Sequence, residues 1–221
     1  MIKSKGWNWE IVKENNEEYW KNPSIESFYL VNRWKLLDKK KFLDLGCGIG
    51  RHSILFGKND FEVYCFDISE DGVNKTKGWG KSIGLEFNCQ IGDMLNLPYQ
   101  DESMDCILCY NVISHTDTEG VRNIIKELYR VLKENGECYL TLCSKETWGY
   151  KQDWPVVDEN TKLRMEEGPE YKVPHFYADY PLIKELFKDF EIIFVNQLEN
   201  FIDNNDKVTT SFHYHLLIRK N

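Results

Sequence analysis

At 221 residues, 42% of them hydrophobic and seven of them tryptophan, the chain can bury one substantial core, which excludes a disordered chain and is most simply read as one domain. The net charge is −8 and the basic residues are scattered rather than clustered, so no nucleic-acid partner is expected. No apolar run approaches the roughly 18–20 residues that cross a bilayer, and the polar start of the chain lacks a signal peptide's apolar centre; a cytoplasmic address without membrane contact is expected.

Residues 1–38 read as an N-terminal helical cap. Trp9, Val12 and Tyr19, then Phe28, Val31, Trp34, Leu36 and Leu37, recur at helical spacing, and such stripes either cover a cleft or pack on the sheet. Asn22-Pro23-Ser24 breaks the pattern, with Ser24 placed to cap a second helix. Residues 39–143 alternate short apolar runs with helical ones. Strands are expected at Lys41–Leu45, Phe61–Phe66, Glu86–Ile91, Met104–Tyr110 and Glu137–Cys143. Helices are expected at Arg51–Lys58, Ser69–Ile83 and Asp117–Leu132, the second capped by Ser69 and the third closed by Asn135-Gly136. The alternation predicts a Rossmann-like α/β fold, a doubly wound and mostly parallel sheet with helices on both faces.

The rhythm then stops. Residues 144–178 carry little periodicity and hold Trp148, Tyr150, Trp154, Pro155 and Pro169, the composition of a lid or substrate segment. Residues 179–221 recover as a helix, Tyr180–Phe187, and two strands, Phe190–Val195 and Ser211–Ile218. A polar tip at Asp203–Asp206 joins the strands into an antiparallel hairpin. The seven cysteines fall mostly in expected strands, where cysteine acts as a small hydrophobe. Cys106 and Cys109 are three apart on one strand and so face opposite ways. No metal site is expected.

The chemistry concentrates at Phe42-Leu-Asp44-Leu-Gly46-Cys-Gly48-Ile-Gly50-Arg-His52. A strand runs into a turn with alternate glycines, which let backbone approach a ligand closely, and the helix that follows presents unpaired N–H groups suited to a carboxylate. Asp44 can hold a cationic amino end. Asp67, after the second strand, stands where acidic side chains take ribose hydroxyls. Asp93 can accept from an adenine amino group, with Met94 packed on the ring. Any one of these aspartates can equally be a solvated or capping residue. Together, at the carboxyl ends of three strands, they make a ligand-binding constellation.

These residues, with Phe66-Asp67-Ile68-Ser69, Gly92-Asp93-Met94, Met104-Asp105 and Leu128 to Gly136, resemble the successive motifs of the class I S-adenosylmethionine-dependent methyltransferases over roughly residues 40 to 143. The resemblance implies S-adenosylmethionine as cofactor. It assigns the methionine part to Asp44, Gly46, Cys47, Gly48 and Gly50, the ribose to Asp67, and the adenine to Asp93 and Met94. Arg51, Ile68 and Asn111 complete the implied cofactor set. It further implies a seven-stranded sheet whose last hairpin sets one antiparallel strand inside the edge. The family often has Pro-Gly-Gly where this chain has Glu134-Asn135-Gly136, a change that keeps the turn chemistry.

Asn111 to His115 follows the fourth strand, which by the resemblance faces the transferring methyl group. The Asn-Pro-Pro-Tyr loop of nucleic-acid amino methyltransferases is absent, as is the Pro-Cys pair a cytosine C5 enzyme needs; both absences favour a small-molecule acceptor. His115 is the candidate general base, with His175 and Tyr177 as further catalytic candidates. Trp148, Tyr150, Phe176, His213 and His215 are candidates for the acceptor pocket, although each can equally be a packing residue. A nicotinamide-dependent oxidoreductase, a non-catalytic binding protein, and a protein or nucleic-acid methyltransferase remain the alternatives.

Overall fold

The computed structural model describes residues 4–7, 20–203 and 208–221; Trp9, Val12 and Tyr19 of the expected helical stripe and 204–206 of the hairpin tip lie outside them. The first described helix, α1 (Ile25–Leu36), buries Leu30, Val31 and Trp34 on one stripe. Ser24 occupies its N-cap position but makes no side-chain capping bond. Its amide donates instead to His52 Nε2 at 3.2 Å.

Strand β1 (Lys41–Leu45) leads through α2 (Arg51–Gly57) to β2 (Glu62–Asp67), and α3 (Glu70–Ser82) leads on to β3 (Asn88–Ile91). Strand β4 (Met104–Cys109), α4 (Thr118–Val131) and β5 (Leu132–Ser144) follow. All these strands pair in parallel, in the order β3-β2-β1-β4-β5. Caps fix the helix starts as local sequence requires: Ser69 accepts from the Gly72 amide and Asp117 from the Gly120 amide, each satisfying a donor the helix cannot.

The chain splits its apolar residues between the two faces with period two. Leu43, Ile107 and Cys109 pack under α4, while Phe42, Cys106 and Leu108 pack under α1 to α3 with Trp34 and Phe56. Such two-sided strands are what a sheet covered by helices on both faces demands. Cys106 and Cys109 accordingly sit in different cores, and all seven cysteines are free.

The C-terminal hairpin is longer than expected. Strand β9, as numbered in chain order, spans Phe190–Asp203 and β10 spans Val208–Lys220. Strand β10 runs antiparallel between β5 and β9, so seven strands form the main sheet with one antiparallel strand inside the edge. Helix α5 (Tyr180–Leu186) precedes the hairpin.

Two expectations need correction. Residues 144–178 are not irregular throughout, because they contain β6 (Val156–Asp158), β7 (Thr161–Leu163) and β8 (Pro174–Ala178). The first two pair antiparallel in sequence, β7 pairs antiparallel with β8, and β8 joins β5 in parallel through Cys143↔Tyr177 and Ser144↔Ala178. Three-residue strands are too short to show a period, which is why the sequence pattern hides them. The helix before β5 also ends early. Helix α4 stops at Val131, and Leu132 is already extended and paired with Met104. The left-handed residue of the following turn is Asn135 (φ 60°), not Gly136. Glycine is needed at 136 by close approach, since a Cβ there would stand 2.7 Å from the Lys133 carbonyl oxygen.

One buried carboxylate ties the N-terminal helix to the sheet. Glu137 on β5 is 0% exposed. It accepts from Arg33 Nε and Nη2 at 2.8 Å each, from Trp34 Nε1 at 3.0 Å and from Arg219 Nη2 at 3.0 Å. Burial alone would raise its pKa, but Arg33 and Arg219 outweigh that and hold it below the usual carboxylate range. Removing one partner of such a set leaves uncompensated buried charge. Glu137→Ala is expected to cost about 3–5 kcal/mol, read as a lowered urea midpoint; a midpoint equal to the parent's would show that the two arginines need no partner there.

Candidate active site

A cleft with room for about 290 Å³ opens at the carboxyl ends of the parallel strands, where the strand-to-helix turns leave backbone groups free to meet a ligand. Its β1–β2 side is built on the glycine turn. Gly46, Gly48 and Gly50 have φ of 75°, 52° and 96°, a region that side-chain-bearing residues avoid. At Gly46 a Cβ would lie 2.2 Å from Val112 Cγ2, so glycine is required both by conformation and by contact. The amides of Gly46 and Cys47 donate to the Phe66 carbonyl at 2.7 and 3.1 Å, which lashes the turn to the end of β2.

Asp67 completes that lashing. Its Oδ2 accepts from the Gly48 amide and its Oδ1 from the Ser69 amide, each at 2.8 Å. Burial raises its pKa, with those two amides opposing the shift. Of the sequence-derived cofactor set, Gly46, Cys47, Gly48, Arg51, Asp67, Ile68, Met94 and Asn111 line the cleft. Arg51 lies 5.5 Å from the ring centres of both Trp20 and Tyr110.

Three members of the set stand behind the cleft wall. Gly50 is the N-cap of α2 and faces Thr76 on α3. Asp44 is 2% exposed, and its Oδ2 accepts from the Ser53 hydroxyl at 2.6 Å. Asp93 is engaged by backbone, its Oδ1 by the Leu95 amide at 3.1 Å and its Oδ2 by the Ser4 amide at 3.3 Å. Residues 4–7 thus run along the cleft, and Ser4, Lys5, Gly6 and Trp7 all line it.

The β4–β5 side carries the other candidates. Asn111 sits at φ 58°, a conformation asparagine tolerates better than most residues. Its amide donates to Thr141 Oγ1 at 2.7 Å, and its Oδ1 accepts from the same hydroxyl at 2.9 Å. Ser114 Oγ accepts from the Cys143 amide and the Ser114 carbonyl from the Phe176 amide. The loop that bears His115 is therefore fixed to both β5 and β8. His115, His175, Tyr177, Trp148 and His213 all line the cleft, whereas Tyr150, Phe176 and His215 do not. His215 is taken up by the Tyr139 hydroxyl at 2.6 Å, and Phe176 is a core residue at 0% exposure. Burial pushes the Cys143 thiol up to about 12, so it is no thiolate nucleophile at neutral pH.

Sequence reasoning missed the residue that organises this side. Glu170 approaches His115 Nε2 at 3.4 Å and His175 Nε2 at 3.5 Å, accepts from Trp7 Nε1 at 2.7 Å, and is paired with Arg164. Burial would raise its pKa, but the surrounding His115 and His175 reverse the shift and keep it ionised. Nothing in Gly168-Pro-Glu170 itself marks it, because Trp7 and His115 reach it from distant parts of the chain and no regular spacing links it to Arg164 and His175.

The seven-stranded sheet with β10 inside its edge, and a glycine turn anchored by an aspartate at the end of β2, define the class I methyltransferase architecture. The chain has the fold of the S-adenosylmethionine-dependent methyltransferases. Residues 42–136 match the family described as "Methyltransferase domain". Norajmaline N-methyltransferase of Rauvolfia serpentina is 33% identical over 96 residues, 42% of this chain and 32% of that protein. A tRNA (carboxymethyluridine(34)-5-O)-methyltransferase of Arabidopsis thaliana is 32% identical over 143 residues, 64% of this chain and 32% of that protein. The chain thus spans about a third of the length of these two curated relatives. Among solved structures, an S-adenosylmethionine-dependent methyltransferase of Methanosarcina mazei shares the fold with TM-score 0.69 at 21% identity, covering 82% of this chain and 93% of that one. Among the described residues no helix is long and apolar enough to cross a membrane.

The buried Asp44 makes stability depend on pH. Burial lifts its carboxyl from 3.8 to about 6, with the Ser53 hydroxyl opposing the shift. Between those values the folded state holds a proton that the unfolded chain has released, so stability falls as pH rises through the window. Asp44→Asn is expected to raise stability at pH 7 by up to about 3 kcal/mol and to flatten the dependence between pH 4 and 6. Urea melts across that range provide the check; an unchanged slope would assign it to another group.

Proposed function

We propose that this chain transfers the methyl group of S-adenosylmethionine to a small-molecule acceptor. The observation that carries the reading is one continuous cleft, running from the glycine turn and Asp67 to a pocket walled by His115, His175, Tyr177 and Trp148. The first side suits the cofactor. The positive-φ glycines bring backbone to the cleft wall, Asp67 offers carboxylate oxygens there, and Ile68 and Met94 supply apolar surface. The bound cofactor supplies an electrophilic methyl carbon on a positively charged sulfur.

The chain's own residues then have limited work: alignment, exclusion of water, and removal of a proton from the acceptor. Trp7 and Trp20 from the N-terminal side and Trp148 and Trp154 from the segment after β5 bound the cleft with apolar surface, which supports water exclusion. The acceptor's proton leaves at the cluster of His115, Glu170 and His175, while Tyr177 helps shape the pocket. A net charge of −8 and a cleft with room for about 290 Å³ support a small acceptor over a phosphate-backed polymer.

Calorimetric titration with S-adenosylmethionine and S-adenosylhomocysteine, with NADH as control, tests the cofactor. Both sulfur ligands are expected to bind and NADH is not; the reverse pattern would return the chain to the oxidoreductases. Asp67→Ala is expected to weaken S-adenosylhomocysteine binding by about 100-fold, the scale of a lost charge-assisted hydrogen bond. Unchanged affinity in the folded variant would remove Asp67 from the ribose site.

A further inference from the structure

Three side chains from two separate stretches of chain converge at the acceptor end of the cleft: His115 after β4, and Glu170 and His175 just before and on β8. We propose that they hold a divalent first-row transition-metal ion, of the zinc or cobalt type, with an open coordination position toward the cleft. The binding itself stands independently, and only the use of the ion rests on the methyltransferase reading above.

The argument starts from protons. His175 Nδ1 lies 3.0 Å from the Val173 carbonyl oxygen, which can only accept, so Nδ1 carries the hydrogen. In that tautomer the neutral ring bears its lone pair on Nε2. That lone pair faces Glu170 Oε2 at 3.5 Å, while His115 Nε2 faces Oε1 at 3.4 Å. Both gaps are long for charge-assisted hydrogen bonds, which run about 2.7–2.9 Å. Each gap, to a different oxygen of the one carboxylate, is close to the roughly 3.4 Å that separates ligands about 2.0–2.1 Å from a tetrahedral ion. One ligand atom from each of the three residues fits within 4.8 Å of the others.

Charge points the same way. Arg164 pairs with both Glu166 and Glu170, so its one charge is shared between two carboxylates. Arg164 and the Trp7 N–H hold the carboxylate from outside, and the Val173 carbonyl orients the His175 ring, as outer partners do around metal ligands. Two imidazoles with one carboxylate suit zinc, cobalt, nickel or iron rather than magnesium or calcium, which prefer oxygen. Three protein ligands with a fourth position open is the arrangement of a catalytic ion. An acceptor O–H or S–H bound there loses its proton to water more readily, and the oxygen or sulfur keeps a lone pair for the methyl carbon. His115 is then a ligand, and the cluster promotes proton loss through the ion.

The test is a cobalt titration of the full chain after chelator treatment, read by visible absorption and calorimetry, with S-adenosylhomocysteine titrated in parallel. One cobalt per chain is expected, with ligand-field bands and no thiolate-to-cobalt band in the near ultraviolet. His175→Asn and Glu170→Gln are each expected to weaken cobalt binding by at least about 100-fold while leaving circular dichroism and S-adenosylhomocysteine affinity intact. Absence of binding by the folded parent, a thiolate band, or undiminished binding in both variants would overturn the site. Cobalt binding without S-adenosylhomocysteine binding would keep the site and overturn the methyltransferase reading.

Discussion

The acceptor end of the cleft depends on one strand outlasting its neighbour. Strand β4 ends at Cys109, paired with Leu140, while β5 continues to Ser144. Its far edge is already occupied by β10 up to Cys143↔His213. The backbone groups left open beyond β4 must find partners, because buried N–H and C=O groups are costly to leave unpaired. The Ser114 hydroxyl and strand β8 supply them, the strand through Cys143↔Tyr177 and Ser144↔Ala178, and that short pairing carries His175 and Tyr177 into the cleft. Weakening it would cost the site far more than it cost the sheet.

Buried carboxylates serve this chain in opposite ways. Glu137 is surrounded by Arg33, Trp34 and Arg219 and keeps its charge. Asp44 has one hydroxyl partner and gains a proton more readily than an exposed aspartate. The difference lies in the count of donors, since burial acts on both. Glu170 resembles the first case, but two of its neighbours are rings that can also offer lone pairs. That places it at the meeting of structure and chemistry.

The part of the fold that was legible in the sequence is the part built from local rules. Period-two burial over Phe42–Leu45 and Cys106–Cys109, the stripe of α4, and the caps at Ser69 and Asp117 all arise within a few residues of chain. The glycine turn was legible for the same reason. Strand β8 was not, because its pairing is decided by the exposed end of β5 some thirty residues earlier. The contact between Glu170 and Trp7 escaped for a related reason, as it joins residues 163 positions apart in the chain. Asp44 and Asp93 show the converse. Their positions in the motifs were clear, but only packing reveals that Ser53, Ser4 and Leu95 already occupy their oxygens.

The order of the main sheet also decides how it ends. One end is β3, four residues long, and the other is β9, fourteen residues long and bonded only to β10. An unpaired strand of that length is a template on which a second chain can build. Brevity protects the first end. The second is mixed: Glu191, Asn196, Gln197, Glu199 and Asn200 are exposed along it, and so are Leu198 at 39% and Phe201 at 71%. Charged and amide side chains of that kind oppose pairing along an open edge, while Leu198 and Phe201 favour being covered, so the outer strand carries both tendencies at once.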